Sequence, residues 1–220
     1  MKGHSSLTKA RVGHDRPALE PAAALYLSTS LTLPLGQAQS WEGVQTEEAR
    51  MDLLEPPRVV ERPQQDYLGI RVVTPFRGML STRNELINEL DGWLNAHGID
   101  DVGPFFLRLH VIDMSGPMDL EVGVVTPGPL TGDARVQPAV LPSGRYATLT
   151  YRNHSIRANR ALIEWAAAQD IAFDRRDVAE GDLFACRYEA FRTDPRTEPR
   201  KTKWEVELNF LVAEPAGSRG

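Results

Sequence analysis

Cysteine is almost missing from this sequence. Cys186 is the only one, so no disulfide can form within the chain and a reducing compartment suits it. No apolar run reaches the roughly 20 residues that a bilayer-spanning helix needs, so no membrane partner is expected. No block of like charges forms a tail that could wrap a polyanion, and 25 basic residues face 30 acidic ones, for a net charge of −5. Nucleic acid is therefore not an expected direct partner. The five histidines include no pair at metal-ligand spacing, and Cys186 falls in a core-facing register, so no metal is expected. G-x-S-x-G, G-x-G-x-x-G and a phosphate-cradling Gly-Lys-Ser/Thr are all absent, which disfavours serine hydrolases, dinucleotide enzymes and nucleotide hydrolases. No cofactor is implied. What is present is ordinary globular composition, 41% apolar and 25% charged, and the chain reads as a soluble, cytoplasmic protein.

Residues 1–57 differ from the rest. They are rich in Ala, Ser, Thr, Gln and Pro and hold no sustained period, which reads as a flexible N-terminal extension. Ala22–Leu35 is mildly apolar, but Asp15 and Glu20 precede it and Thr and Ser interrupt it, against an export signal. The segment is also too short and too poorly patterned for a helix-turn-helix module. Met51 opens the first well-patterned stretch.

From residue 58 the elements alternate. Tyr67–Val73 reads as a strand by its period of two. Met79–His97 reads as a helix with Leu86, Leu90, Trp93 and Leu94 on one face. Thr82 and Glu85 have capping-box spacing, and Gly98 suits the C-terminus. Strands Phe105–Ile112 and Met118–Val125 follow, then a Pro/Gly linker, Thr126–Asp133. The order then repeats: strand Arg145–Tyr151, helix Ser155–Gln169, strands Phe184–Arg192 and Trp204–Val212. Under a shift of 72, Leu90 meets Leu162 and Trp93 meets Trp165. In the last strand of each half, Asp119-Leu120-Glu121-Val122 lies over Glu205-Val206-Glu207-Leu208. We read an α+β fold of duplicated β-α-β-β modules, residues 58–125 and 134–213, with 214–220 as a tail. Trp93 and Trp165 are expected to anchor helix to sheet.

Strand alternation assigns faces. Leu120, Val122, Val124, Val206, Leu208 and Phe210 should pack on the helices. The opposite face should carry Asp119, Glu121, Gly123, Glu205, Glu207 and Asn209, with Arg108, His110, Tyr146, Thr148, Glu189 and Phe191 beside them. Such a polar, partly aromatic face suits a small ligand.

Further residues carry a resemblance. Pro138, Leu141-Pro142-Ser143-Gly144-Arg145-Tyr146-Ala147, Trp165, Glu189-Ala190-Phe191-Arg192-Thr193-Asp194-Pro195 and Lys203-Trp204-Glu205-Val206-Glu207-Leu208 together resemble the GyrI-like small-molecule-binding family. That fold also serves as the effector-binding domain of multidrug-sensing transcription regulators. The resemblance covers about residues 55–213. It implies two modules around a pseudo-two-fold central ligand cleft, and a last-strand glutamate, here Glu207, that meets cationic or lipophilic ligands. Some stand-alone relatives are hydrolases that open the cyclopropane ring of alkylating natural products with cleft carboxylates. The family's namesake is a protein-binding gyrase inhibitor.

Glu207 is the sharpest candidate. In an aromatic cleft its carboxylate would recognise a cation or act as acid or base; the plainer alternative is a solvated charge paired with Lys201 or Lys203. Glu121 is its symmetry mate and would share catalytic work with Glu207 only in a hydrolase; otherwise it is a structural charge. Glu189 either lines the cleft or holds Arg108 or Arg187. Tyr146, Phe191 and Trp204 would wall the pocket, although Trp204 lies an odd number of residues from Glu207 and reaches the cleft only if the strand is irregular. His110 would serve as a base or as a hydrogen-bonded structural group. The expected function is binding of a small hydrophobic molecule, cationic or electrophilic in character, by a stand-alone sensing or sequestering domain. The alternatives are the cyclopropane hydrolase and, behind it, a protein-binding inhibitor.

Overall fold

The computed structural model describes residues 51–214. Residues 1–50 of the extension expected over 1–57, and residues 215–220 of the tail expected over 214–220, lie outside the described residues. Ten strands and two helices follow in chain order: β1 (Asp52–Arg62), β2 (Gln65–Pro75), α1 (Met79–Ala96), β3 (Phe105–Ile112), β4 (Pro117–Val125), β5 (Gln137–Leu141), β6 (Gly144–Arg152), α2 (Ser155–Ala168), β7 (Arg175–Val178), β8 (Gly181–Phe184), β9 (Arg187–Phe191) and β10 (Glu205–Leu211). The strands form one sheet in the order β1-β6-β10-β9-β3-β4-β2-β5, with the β7–β8 hairpin attached to β3 through β8. Every pairing is antiparallel.

The duplication is visible in that order. The seam is β3 against β9, where Phe106 pairs with Ala190 and Arg108 with Tyr188. Outward from it, β9-β10-β6-β1 matches β3-β4-β2-β5. Each module therefore has an additional leading strand, β1 or β5, which precedes its own module in sequence but borders the other one in the sheet. These strands correct the expected organisation, because the domain's first strand starts at Asp52, inside the stretch assigned to the extension. Both are edge strands containing proline. Pro56 and Pro57 fall between Glu55 and Arg58, where the register shifts, and an edge position tolerates the missing N–H. The same prolines hide the strand from a pattern search.

The helices repeat closely. Leu86, Leu90 and Leu94 of α1 are buried where Ala158, Leu162 and Ala166 of α2 are buried, 72 residues later. Both helices end alike: Gly98 has φ 64° and Asp170 φ 53°, and the next amide, Ile99 or Ile171, donates back to Leu94 O or Ala166 O. This is the C-terminal turn that a positive φ permits. At the other end, α1 starts at Met79 behind Gly78 with no side-chain cap, so the expected Thr82–Glu85 capping box does not form. Trp93 and Trp165 are only half-buried at the rim of the helix-side core. Trp93 donates its indole N–H to Asp133 Oδ2 at 2.7 Å and stacks on His97.

Two apolar clusters lie on opposite faces of the sheet. The larger one joins both helices to Leu68, Ile70, Leu120, Val122, Leu208 and Phe210. The smaller contains no helix residue and comprises Tyr67, Phe106, Leu141, Tyr146, Cys186, Tyr188 and Ala190. Cys186 thus lies on the face away from the helices, not in the helix-side core. No helix among the described residues is long and apolar enough to cross a membrane.

Candidate functional site

The helix-free face carries an aromatic row across the seam. Tyr67 meets Phe106 at 5.0 Å between centroids, Phe106 meets Tyr188 at 5.7 Å, and Tyr188 meets Tyr146 at 5.9 Å, each edge to face. The row obeys the pseudo-two-fold. Phe106 pairs with Gly123 and Tyr188 with Asn209, while Tyr67 pairs with Val125 and Tyr146 with Leu211. Edge-to-face contacts suit the ring quadrupole and fix ring orientation. Burial holds the phenols of Tyr67, Tyr146 and Tyr188 well above their ordinary pKa, and the Glu121 carboxylate adds to the effect at Tyr67. All three therefore stay protonated at neutral pH.

One glutamate, Glu121, lies at the Tyr67 end of the row, and the other, Glu207, lies near Tyr188. Glu121 Oε2 accepts from Tyr67 Oη and lies against His110 Nε2, both at 2.8 Å. His110 reaches it because the β3–β4 register slips between Leu109 and Val111, and such a bulge re-aims a side chain. Arg108 Nη1 donates to Tyr67 Oη and Val140 O, and Nη2 to Ala185 O. In the second module, Arg62 and Arg192 both donate to Glu207 Oε1, at 2.8 and 2.9 Å. Arg192 also reaches Glu55, which holds Arg58 at 2.7 Å. Glu207 is 7% exposed. Its partners are arginines from β1 and the end of β9, not Lys201 or Lys203. The carboxylate expected to await a cation already holds two.

The two glutamates differ because of what stands beside them. Gly69 and Gly123 occupy the positions that Thr148 and Asn209 occupy in the second module. A Cβ on Gly69 would come within 2.5 Å of Glu121 Oε1, and one on Gly123 within 2.8 Å of both Phe106 Cε atoms. The glycines thus let Phe106 and Glu121 lie down on the strands, bringing Glu121 to Tyr67. Thr148 and Asn209 fill the equivalent space. Glu207 turns to the arginines instead, and Tyr146 donates to Pro142 O at 2.7 Å.

The structure brings Glu207, Glu121, His110, Arg108, Tyr146 and Thr148 onto this face. It does not bring the others there. Glu189 pairs with Leu208 and Leu107, so it points to the helices, where Asn159 of α2 links it to Arg187. Phe191 and Trp204 belong to the helix-side core, with the Arg83 guanidinium against both rings. Trp204 donates to Glu198 O at 2.7 Å. Alternation misassigned β9 because each parity of Arg-Tyr-Glu-Ala-Phe holds one aromatic, and the parity that packs on the helices is the one with Arg187 and Glu189. Sequence reasoning also missed Tyr67, Phe106, Tyr188, Arg62, Arg192 and Thr150. Pairing Tyr67 with Tyr146 by symmetry would have recovered the first; no local pattern marks Arg62.

Several buried polar atoms lack a partner: Thr148 Oγ1, Thr150 Oγ1, Asn209 Oδ1, and Nε of Arg62, Arg108 and Arg152. All sit on the helix-free face. Two surface hollows lie elsewhere, about 430 Å³ beside α2 at Ile163, Ala167 and Phe173, and about 440 Å³ at Phe76 and Met114. Neither touches this constellation, whose four rings are at most 4% exposed. Among the described residues, no group of three or more His, Cys, Asp or Glu could hold a metal ion.

Solved structures share this architecture. The EcmrR C-terminal domain matches with a TM-score of 0.51 at 13% identity, over 74% of this chain and 100% of that one. The fold is GyrI-like. EcmrR in its complex with DNA matches with a TM-score of 0.55 at 15% identity, over 74% of this chain; the chain spans 59% of that protein's length. A conserved protein of Listeria innocua matches with a TM-score of 0.50 at 12% identity, over 72% of this chain and 93% of that one. No protein-family model matches the chain, and no curated protein matches it in sequence. The GyrI-like fold accounts for the ten-stranded sheet and its paired helices.

Proposed function

We propose that the protein binds a small hydrophobic molecule on the helix-free face of its GyrI-like sheet, as a sensing or sequestering domain. The observation that carries this reading is the row Tyr67, Phe106, Tyr188 and Tyr146 with buried glutamates beside Tyr67 and near Tyr188. The rings are at most 4% exposed, so a ligand reaches them as the side chains over them part; they then supply apolar contact, and the neighbouring polar groups orient it. The test is calorimetric titration with a panel of hydrophobic aromatic compounds. Tyr188→Leu should weaken binding about tenfold or more, roughly one lost ring contact of 1.4 kcal/mol. Ile163→Glu, in the hollow beside α2, should change nothing. Binding insensitive to Tyr188→Leu but lost in Ile163→Glu would move the site and refute the reading.

A hydrolase is the second reading, favoured by one observation. Glu121 sits against the Tyr67 hydroxyl and the His110 imidazole, whereas Glu207 sits against two guanidinium groups. Two carboxylates in unlike surroundings suit divided acid and base roles. Water would add across a strained ring carbon–carbon bond, one carboxylate taking the water's proton and a second group protonating the leaving atom. Incubation with a cyclopropane-bearing alkylator should then give a product heavier by one water, and Glu121→Gln should abolish it.

A further inference from the structure

Glu207, on the ligand face just proposed, is not a free anion. Counting the connected charges on that face, Arg58, Arg62, Arg108 and Arg192 stand against Glu55, Glu121 and Glu207; four minus three leaves one positive charge with His110 neutral. Arg71 with Asp119 and Arg152 with Glu205 are closed pairs beside this group. Arg108 hydrogen-bonds to two backbone carbonyls and the Tyr67 hydroxyl, but to no carboxylate. A guanidinium satisfied only by neutral oxygens keeps its full charge available to an anion.

The partnerless atoms point the same way independently of that count. Three are guanidinium N–H donors, on Arg62, Arg108 and Arg152. Two are hydroxyls, Thr148 Oγ1 and Thr150 Oγ1, each able to donate, and one, Asn209 Oδ1, only accepts. Thr148, Thr150 and Asn209 are at most 1% exposed, and they lie side by side, with Asn209 paired to Thr148 and Glu207 to Thr150. Buried donors without acceptors are costly. A group rich in acceptor oxygens answers both the surplus charge and the surplus donors.

We infer that the ligand of this face is an aromatic anion, its ring on the Tyr67-to-Tyr146 row and its carboxylate, sulfonate or phenolate oxygens toward Arg108 and the Thr148–Asn209 patch. This rests on the helix-free face being the ligand site. A lipophilic cation, by contrast, would have to displace Arg62 or Arg192 from Glu207, and Arg62 has no second carboxylate to turn to, whereas Arg192 keeps Glu55.

Calorimetry with matched naphthalene probes tests it on the full chain: naphthalene-2-sulfonate, 2-naphthyltrimethylammonium and 2-naphthalenemethanol. The sulfonate should bind at least about tenfold tighter than the ammonium, and the margin should shrink as salt rises from about 50 to 500 mM. Arg108→Met should remove most of that preference, lowering affinity for the sulfonate by a larger factor than affinity for the neutral alcohol. Circular dichroism checks that the variant folds, and the wild-type preference stands as a test if it does not. Equal or tighter binding of the ammonium by the wild type overturns the charge assignment alone. Absence of binding by all three probes, together with a negative aromatic panel, overturns the ligand site itself and this inference with it.

Discussion

Gly123→Ala is the sharpest probe of why the two modules differ. The added Cβ would sit 2.8 Å from Phe106 Cε1 and Cε2 and closer still to Cζ, where carbon atoms rest at about 3.5–4.0 Å. Roughly 1 Å of overlap must be absorbed. Phe106 is 1% exposed and held between Tyr67 and Tyr188, so its ring has no free direction in which to yield. Overpacking of this kind costs about 1–3 kcal/mol, offset by about 0.4–1 kcal/mol from the stiffer unfolded chain. A net loss of about 1–2 kcal/mol should lower the melting temperature by roughly 2–8 °C in a domain of this size. Gly92→Ala is the control. It lies within α1 with nothing within 4 Å of its Cβ, so helix propensity alone should raise stability by about 0.5–1 kcal/mol. Urea unfolding of both variants reads the difference directly. If Gly123→Ala matches the wild type within about 0.5 kcal/mol, Phe106 does not lie on the strand, and the account of the asymmetry fails.

Two further outcomes follow from burial. Cys186 is 1% exposed, and burial pushes its thiol upward against the opposing pull of Arg108. Its reaction with a disulfide reagent should therefore run about a hundredfold slower in the native protein than in urea, as expected if an opening of roughly 3 kcal/mol must come first; comparable rates would place the thiol at the surface. Trp93→Ala and Trp165→Ala should each cost about 1–3 kcal/mol, short of the 3–5 typical of fully buried aromatics, because both rings are half-buried. A loss above that range in thermal unfolding would restore them as core anchors.

The sequence made the repeat legible where its physical cause is local. Leucines at helical spacing reported α1 and α2, and alternating apolar residues reported β2, β3, β4, β6 and β10 within one or two residues of their ends. Gly98 and Asp170 lie at matching positions 72 residues apart because each turn needs a positive φ. β1 and β5 escaped detection because their prolines break the strand pattern and their stability comes from β6 and β2, which are distant in sequence. The faces of β9 were illegible for another reason. Glu189 is buried by Asn159 and the helices, a tertiary contact that alternation within five residues cannot report. Glu207 and Glu121 were found from their spacing in matched strands. Their partners were not, since Arg62 arrives from a leading strand that crosses to the other module.

That crossing also explains why a symmetric frame makes an asymmetric face. Val60 and Ala139 hold equivalent places beside Tyr146 and Tyr67, but Arg62 stands where the other module has Leu141. The first module can therefore close on itself: Glu121 is bound by Tyr67 and His110, and the glycines beneath let it lie flat. In the second, Thr148 and Asn209 stand where the first has glycines, and Arg62 and Arg192 hold Glu207. With Glu207 held by the arginines, the Thr148 and Thr150 hydroxyls and the Asn209 side-chain amide oxygen have no partners. A fold stabilised only by its own contacts gains nothing from such atoms, each of which costs about 1–3 kcal/mol when buried unpaired. The first module supplies the rigid end of the aromatic row. The second supplies the unsatisfied hydrogen-bonding groups, so a ligand lying along the row would be gripped at that end.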